Sequence, residues 1–286
     1  MRGLRHLAIL VLFALPLPAA GQATSPESPP PTLGIPEALR GAWIAGDSCA
    51  RPDALLFLTA RAAARIPAEG EPALLRFGAL GLVPGGWTLG VLPEPDARRL
   101  LLRSPGPDQL ETADPATKTR DDRLPGEGAT LQRWRRCPQV PAATAARHAE
   151  GVAALAALEH VEAACGAGAG IRDCLAAAFV QADVTGDGAL SPAELARMAR
   201  GQAWVAVIGV GRMPDQAQAE ASALEAARRL LAGLDYDGDG RLSLTELVQD
   251  RAAFGAATGT AMGRPGGAAP DMAGLHGLVP AIGGTR

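Results

Sequence analysis

The spacing of apolar residues changes near Pro141, and this change divides the chain into two regions. Before this proline, short apolar runs are separated by Gly and Pro, and turn signals recur roughly every ten residues, as in small antiparallel barrels and sandwiches. The runs predict six strands, at Leu39–Ala45, Ala54–Ala60, Leu74–Leu82, Trp87–Leu92, Arg98–Arg103 and Thr130–Cys137. We therefore predict a small antiparallel β domain over residues 39–141.

After Pro141, apolar residues recur at the three- to four-residue spacing that is typical of helices. The pattern predicts helices at Arg147–Ala164, Ile171–Ala182, Pro192–Ile208, residues 216–234 and Leu244–Phe254. His148 and His160 lie twelve residues apart on the first of these, too far apart to bind one metal ion, and we predict both at the surface. The predicted fold class is α+β, with an antiparallel β domain followed by a helical region over residues 147–254.

A twelve-residue segment between the last two predicted helices, Asp235–Glu246, places oxygen donors at regular positions. Its candidate ligands are Asp235, Asp237, Asp239, the backbone carbonyl of Arg241, Ser243 and Glu246. Gly240 stands sixth, where the chain must turn too sharply for a side chain. Since only the carbonyl of Arg241 is needed, its positive side chain can point away. An oxygen-only shell of about seven ligands is what a hard cation such as Ca²⁺ requires.

A second segment, Asp183–Glu194, repeats this arrangement upstream. Its candidate ligands are Asp183, Thr185, Asp187, the backbone carbonyl of Ala189, Ser191 and Glu194. Thr185 stands where an Asp or Asn is usual, and its hydroxyl brings no charge. Leu190 and Leu242 occupy the same eighth position in the two segments, which predicts that the loops pair.

Residues 171–254 resemble the EF-hand family, in particular secreted bacterial proteins with paired EF-hands. The resemblance implies two bound Ca²⁺ ions, although 52 residues from Asp183 to Asp235 exceed the usual spacing of the family. In the β region, Gly41-Ala-Trp43 resembles the first strand of lipocalin-like barrels. Trp43 followed by Cys49 resembles small periplasmic protease inhibitors.

Residues 1–23 have the features of a secretory signal peptide, with a basic start, an apolar run and a small-residue cleavage zone. The apolar run is too short to span a bilayer, for which ~20 residues are needed. Residues 24–38 are predicted to be a flexible Pro-rich leader and residues 255–286 a disordered tail. We therefore expect a periplasmic or secreted protein without a membrane span in the mature chain.

Four cysteines in an exported chain suggest two disulfides, for which three pairings exist. Cys49 and Cys137 bracket the β region, while Cys165 and Cys174 flank a Gly-Ala-Gly-Ala-Gly connector between two helices. These positions predict the pairs Cys49–Cys137 and Cys165–Cys174. A zinc site is disfavoured because the cysteines lack a short Cys-x-x-Cys spacing.

The remaining composition argues against several functions. A formal net charge of −3 favours neither nucleic acid nor an anionic membrane as a partner. The chain contains no phosphate-binding Gly-rich loop, no Gly-x-Ser-x-Gly turn and no His-Glu-x-x-His motif, so we do not expect an enzyme. The predicted function is Ca²⁺ binding that serves structural stabilisation or calcium-dependent interaction with an unidentified protein partner. The alternative is a periplasmic binding or inhibitor protein whose β domain carries the activity, with calcium only structural.

Overall fold

The computed structural model describes residues 34–93, 98–115, 131–137, 139–166 and 168–249. Within these residues, nine strands form one antiparallel sheet. They are β1 Gly41–Ala45, β2 Ala54–Leu58, β3 Ala62–Pro67, β4 Ala73–Arg76, β5 Ala79–Val83, β6 Trp87–Val91, β7 Arg99–Gly106, β8 Gln109–Ala113 and β9 Leu131–Arg136. Their order in the sheet is β4-β3-β2-β1-β9-β8-β7-β6-β5. The predicted class, antiparallel β followed by helices, is confirmed.

The sheet curls because one segment of the chain contributes to both of its edges. β4 pairs with β3 at one edge and β5 pairs with β6 at the other, although only Phe77 and Gly78 separate them. The Phe77 N–H donates to the carbonyl of Arg61 (2.8 Å), and the Gly78 N–H donates to the carbonyl of Val91 (2.9 Å). The predicted strand Leu74–Leu82 is therefore two strands, which the chain links by crossing from one edge to the other.

The sequence pattern does not predict β3 and β8. Half of the residues of β3 are alanine, and β8 contains a glutamate, both residue types with low strand propensity. Each lies between two other strands, so pairing on both sides outweighs its weak local preference. The other predicted strands are present with ends shifted by a few residues.

The sheet buries side chains on both faces. The larger cluster lies on one face and includes Ile35, Leu39, Trp43, Leu56, Leu58, Phe77, Leu80, Leu102, Leu110 and Trp134. Leu55 and Phe57 of β2 point to the opposite face, where helices cover them. Because both faces of β2 are buried, its sequence is a continuous apolar run without alternation.

The helical region contains α1 Ala142–Ala164, α2 Ile171–Ala182, α3 Pro192–Gly209, α4 Gln216–Leu234 and a helical run over residues 244–249. α1 begins five residues before the predicted start, Arg147, because the preceding alanine-rich residues have high helix propensity but no apolar period. The predicted signal peptide, most of the predicted leader, the predicted tail and the end of the last predicted helix lie outside the described residues.

The last residues of the predicted leader belong to the fold. Ile35 is fully buried, and its N–H donates to the carbonyl of Ala60 (2.6 Å). Glu37–Leu39 forms a short 3-10 helix directly before β1. The prediction of flexibility therefore does not hold for residues 34–38. The sequence did not indicate this, because a single isoleucine in a Pro-rich segment gives no sign of being buried.

Helices α1 and α3 cover the outer face of β2 and β3. Trp204 and Ile208 of α3 pack against Phe57 and Ile66 of the sheet. A Cβ atom at Gly151 of α1 would lie 2.1 Å from the Trp204 ring. Only glycine therefore lets α1 approach α3 this closely, and the two helices pack on the sheet together.

A buried carboxylate fastens α1 to the turn between β2 and β3. Glu159 accepts hydrogen bonds from the Thr59 hydroxyl (2.5 Å) and from the backbone N–H groups of Ala60 (2.9 Å) and Arg61 (3.0 Å). A buried carboxylate is stable only when such donors replace its hydration. This contact makes the position of α1 on the sheet specific.

His148 lies inside the interface between helices and sheet, so its prediction as a surface residue is wrong. Its Nδ1 accepts a hydrogen bond from Trp204 Nε1 (3.1 Å), and its ring centroid lies 5.7 Å from that of Phe57. Burial, together with the charge of Arg147, lowers the pKa of His148 from 6.5 to about 4. His160, on the same helix, is exposed as predicted. Helical spacing alone does not indicate which helix face meets the sheet.

We expect the folded chain to lose stability as the pH falls from 7 to 5. The pKa of His148 is about 4 in the fold and near 6.5 when unfolded, so only the unfolded state takes up this proton across the window. The resulting loss is about 2 kcal/mol, measurable by urea denaturation at the two pH values. His148→Gln should remove this pH dependence and His160→Gln should leave it unchanged. An unaltered pH dependence in His148→Gln would show that another group is responsible.

Both predicted disulfides are present. Cys49–Cys137 joins the segment after β1 to the end of β9, across a sequence separation of 88 residues. Cys165–Cys174 links the end of α1 to α2, across a separation of nine residues. Each disulfide therefore lies within one of the two regions of the chain.

Candidate metal centres

Two loops of twelve residues, loop one (Asp183–Glu194) and loop two (Asp235–Glu246), each follow a helix and precede another. They contact each other through two short strands, β10 Ala189–Leu190 and β11 Leu242–Ser243. Leu190 and Leu242 are partners in this pairing and are buried. The predicted pairing of the loops is confirmed, so the long connection through α3 and α4 does not prevent it.

The first aspartate of each loop organises the turn around it. Asp183 accepts hydrogen bonds from the N–H groups of Gly186 (2.7 Å) and Gly188 (2.9 Å). In loop two, Asp235 accepts the equivalent bonds from Gly238 (2.8 Å) and Gly240 (2.9 Å). The sixth residues, Gly188 and Gly240, have φ of 82° and 81°, which glycine adopts without strain.

The twelfth residue of each loop is a glutamate that folds back over its own loop. Glu194 accepts from the backbone N–H groups of Val184 (2.9 Å), Thr185 (3.0 Å) and Ser191 (2.9 Å). Glu246 accepts from those of Tyr236 (2.9 Å) and Ser243 (2.7 Å). Each carboxylate is thus anchored to the backbone near both ends of its own loop.

The ninth residue of each loop also caps the helix that follows. Ser191 Oγ accepts from the Glu194 N–H (3.3 Å) and donates to its carboxylate (2.8 Å), and Pro192 is the first residue of α3. Ser243 and Glu246 repeat both contacts, at 3.2 and 2.9 Å. The capping box therefore places the ninth and twelfth candidate ligands together in both loops.

Local hydrogen bonds keep the closing glutamates ionised. Burial would raise the pKa of Glu194, but the hydrogen bonds from Ser191 and Thr185 outweigh it and lower the pKa to about 2. In loop two, the hydrogen bonds from Ser243 are the main cause of a lowered pKa of Glu246. Ionised carboxylates are the form that binds a metal ion.

Three candidate ligand side chains of loop two are already gathered. Asp235, Asp237 and Asp239 each offer a carboxylate oxygen, and these oxygens lie within 4.8 Å of one another. Oxygens that share a cation at 2.3–2.6 Å lie at most about 5 Å apart, so the spacing fits one ion. In loop one, Thr185 Oγ donates to Glu194 (3.0 Å), which places this uncharged donor beside the closing carboxylate.

These segments are also similar in sequence to a known family. The EF hand family model matches residues 175–199 and 233–249, and each match contains ligand positions of one loop. The two loops are EF-hands. An EF-hand is a divalent-metal site, and the hard oxygen donors of both loops suit such an ion. No curated protein and no solved structure matches the chain.

None of the helices in the described ranges combines the length and the apolar character needed to cross a membrane.

The side chain of Arg241 is the feature of this EF-hand pair that the sequence does not reveal. It points away from its own loop and reaches the other EF-hand. Arg241 Nη2 lies 2.5 Å from each carboxylate oxygen of Asp187 and 2.9 Å from the carbonyl of Ala189. The hydrogen bond from Arg241 is the main cause of a lowered pKa of Asp187. A motif that treats each loop separately has no position for such a contact.

Proposed function

We propose that the two EF-hands bind calcium and that calcium stabilises the folded chain. The observation that carries this proposal is the position of the closing glutamates, Glu194 and Glu246. Backbone N–H groups of each loop hold its glutamate beside the serine at the ninth position, Ser191 or Ser243. The donors are carboxylate, hydroxyl and carbonyl oxygens. Calcium accepts six to eight such ligands in flexible geometry, whereas magnesium demands a near-ideal octahedron.

A structural role is supported by helix α3, which connects loop one to the sheet. Its first turn contains Pro192 and Glu194, and its last turns place Trp204 and Ile208 against β2 and β3. An ion that orders the first turn of α3 therefore also stabilises the helix that covers the sheet. Bound calcium would thus stabilise the β region through the packing of α3 on the sheet, and this link needs no separate protein partner.

We also propose that the chain works outside the cytoplasm. Two disulfides persist in oxidising compartments and are rare where thiols are kept reduced. The N-terminal residues have the composition of a secretory signal. Calcium concentrations outside the cytoplasm suit a site that stays occupied and stabilises the fold.

Loop two is expected to bind calcium more tightly than loop one. It contributes four carboxylates, Asp235, Asp237, Asp239 and Glu246, whereas loop one contributes Asp183, Asp187 and Glu194. Ligand charge is one of the factors that spread EF-hand affinities from about 10⁻⁹ to 10⁻³ M. Calorimetric titration with calcium should therefore show two sites of different affinity.

Two variants assign these sites and test calcium binding itself. Asp235→Ala should remove the tighter phase, and Asp183→Ala should remove the weaker one. The opposite assignment would show that carboxylate number does not set the order. Absence of calcium binding by the unmodified chain would overturn the proposed function.

A further inference from the structure

We propose that Arg241 lowers the calcium affinity of loop one, so that one EF-hand controls the occupancy of the other. This inference rests on the proposed calcium binding. Arg241 is the seventh residue of loop two, where a ligand comes from the backbone alone. Its guanidinium instead contacts the fifth and seventh residues of loop one, Asp187 and Ala189.

The contact is built into the pairing of the loops. Ala189 pairs with Ser243 and Leu190 pairs with Leu242, which places the backbone of Arg241 beside that of loop one. From there Nη2 meets both oxygens of Asp187 and the carbonyl of Ala189, at 2.5, 2.5 and 2.9 Å. One nitrogen of Arg241 thus lies among three oxygens that belong to two of the six donor groups of loop one.

A cation in this place opposes a calcium ion in loop one for two reasons. An ion bound to Asp187 at 2.3–2.6 Å would lie within about 5 Å of Arg241 Nη2, and the two positive charges would repel each other. Arg241 also neutralises the Asp187 carboxylate, whose negative charge would otherwise attract the ion. Both effects lower the affinity of loop one.

One N–H donor of the guanidinium is left without a partner, which makes displacement of the side chain less costly. Arg241 Nε is buried and has no hydrogen-bond partner among the described residues. Moving the side chain into water would hydrate this donor, which offsets part of the loss of the Asp187 contact. In loop two, Asp235 accepts from the backbone N–H groups of Gly238 and Gly240, and Asp239 accepts from the backbone N–H of Arg241. The guanidinium contacts Asp187 of loop one, so we expect Arg241 to weaken loop one more than loop two.

The test follows each EF-hand separately by NMR during calcium titration of the full chain. The Gly188 N–H donates to Asp183 in loop one, and the Gly240 N–H donates to Asp235 in loop two, so their amide resonances report the two loops. Arg241→Gln should lower the calcium concentration at which Gly188 responds by about tenfold, equivalent to 1.4 kcal/mol, and should change that of Gly240 much less.

Two further variants separate charge from other effects of the substitution. Arg241→Lys keeps the positive charge and should retain most of the low affinity of loop one. Arg229→Gln removes the same charge from an exposed pair with Glu225 on α4 and should leave both midpoints unchanged. Because a seventh-position ligand is a backbone carbonyl, none of these changes removes a ligand.

The outcomes distinguish this inference from the proposed function. An unchanged or higher Gly188 midpoint in Arg241→Gln overturns the role of Arg241, while calcium-dependent shifts of both glycines still support calcium binding. If neither glycine responds to calcium in any variant, both proposals fail. A Gly188 midpoint that falls only in Arg241→Gln supports the inference.

Discussion

Replacing Trp204 by alanine is expected to lower the free energy of unfolding by about 3–5 kcal/mol, the usual cost of removing a buried aromatic side chain. Trp204 is 4% exposed and packs against Phe57 and Ile66 on the sheet. It also lies over Gly151 and donates to His148. Its loss therefore removes packing between α1, α3 and the sheet at one point.

In the same variant, Trp204→Ala, the stability of the sheet should become independent of calcium binding. Calcium stabilises whichever cooperative unit contains the loops, by about 2.7 kcal/mol per site at a hundredfold excess over the dissociation constant. With α3 attached, this unit includes the sheet. With Trp204→Ala, the loops should still bind calcium, but the unfolding temperature of the sheet should no longer depend on it.

Tryptophan fluorescence can follow the sheet alone in this experiment. The chain has four tryptophans, and the three other than Trp204 lie in the sheet, at positions 43, 87 and 134. Trp204→Phe is the matched control, because it keeps an aromatic ring and leaves the same three fluorescent residues. Calcium should raise the unfolding temperature in Trp204→Phe but not in Trp204→Ala. Equal increases in both variants would contradict the coupling through α3.

Removal of the Cys49–Cys137 disulfide is expected to have an effect of similar size. The bond closes a sequence separation of 88 residues, and restriction of the unfolded chain by such a loop corresponds to about 4–5 kcal/mol. Substituting both cysteines by alanine avoids a buried unpaired thiol or hydroxyl. Denaturant unfolding of this double variant should show the corresponding loss of stability.

The second disulfide is the control for loop length. Cys165–Cys174 closes only nine residues, so replacing this pair by alanine should cost about 2–3 kcal/mol. The two double variants share the same chemical change and differ mainly in the length of chain that is released. A larger loss from the short loop would show that native contacts, rather than restriction of the unfolded chain, determine these energies.

The geometry of the two EF-hand loops was the most predictable part of this protein. Each EF-hand places its candidate ligands within twelve consecutive residues, so the contacts of Asp183 with Gly188 and of Ser191 with Glu194 depend on local turns and capping. The pairing of Leu190 with Leu242 was predictable for a related reason, since each loop exposes an apolar residue that needs a partner. Contacts within one loop, and the repeat of an apolar eighth residue in both loops, can be derived from spacing alone.

The β region was predicted less completely because its strands depend on their neighbours. The sequence indicated most strands through their apolar runs, but it did not indicate β3, which is rich in alanine. It also did not show that Leu74–Leu82 crosses from one edge of the sheet to the other. Strand order depends on pairings between residues far apart in the chain, and local propensity carries little information about them.

By itself, the sequence determined the two oxygen-rich loops, the pairing of the cysteines and the division into a β region followed by helices. Only the tertiary structure decided that His148 is buried beside Trp204, that Glu159 binds the turn of Thr59, and that Arg241 reaches Asp187. The physical reason is the same in each case. These side chains meet partners 56, 100 and 54 residues away, so their burial and charge depend on how helices, loops and sheet pack together.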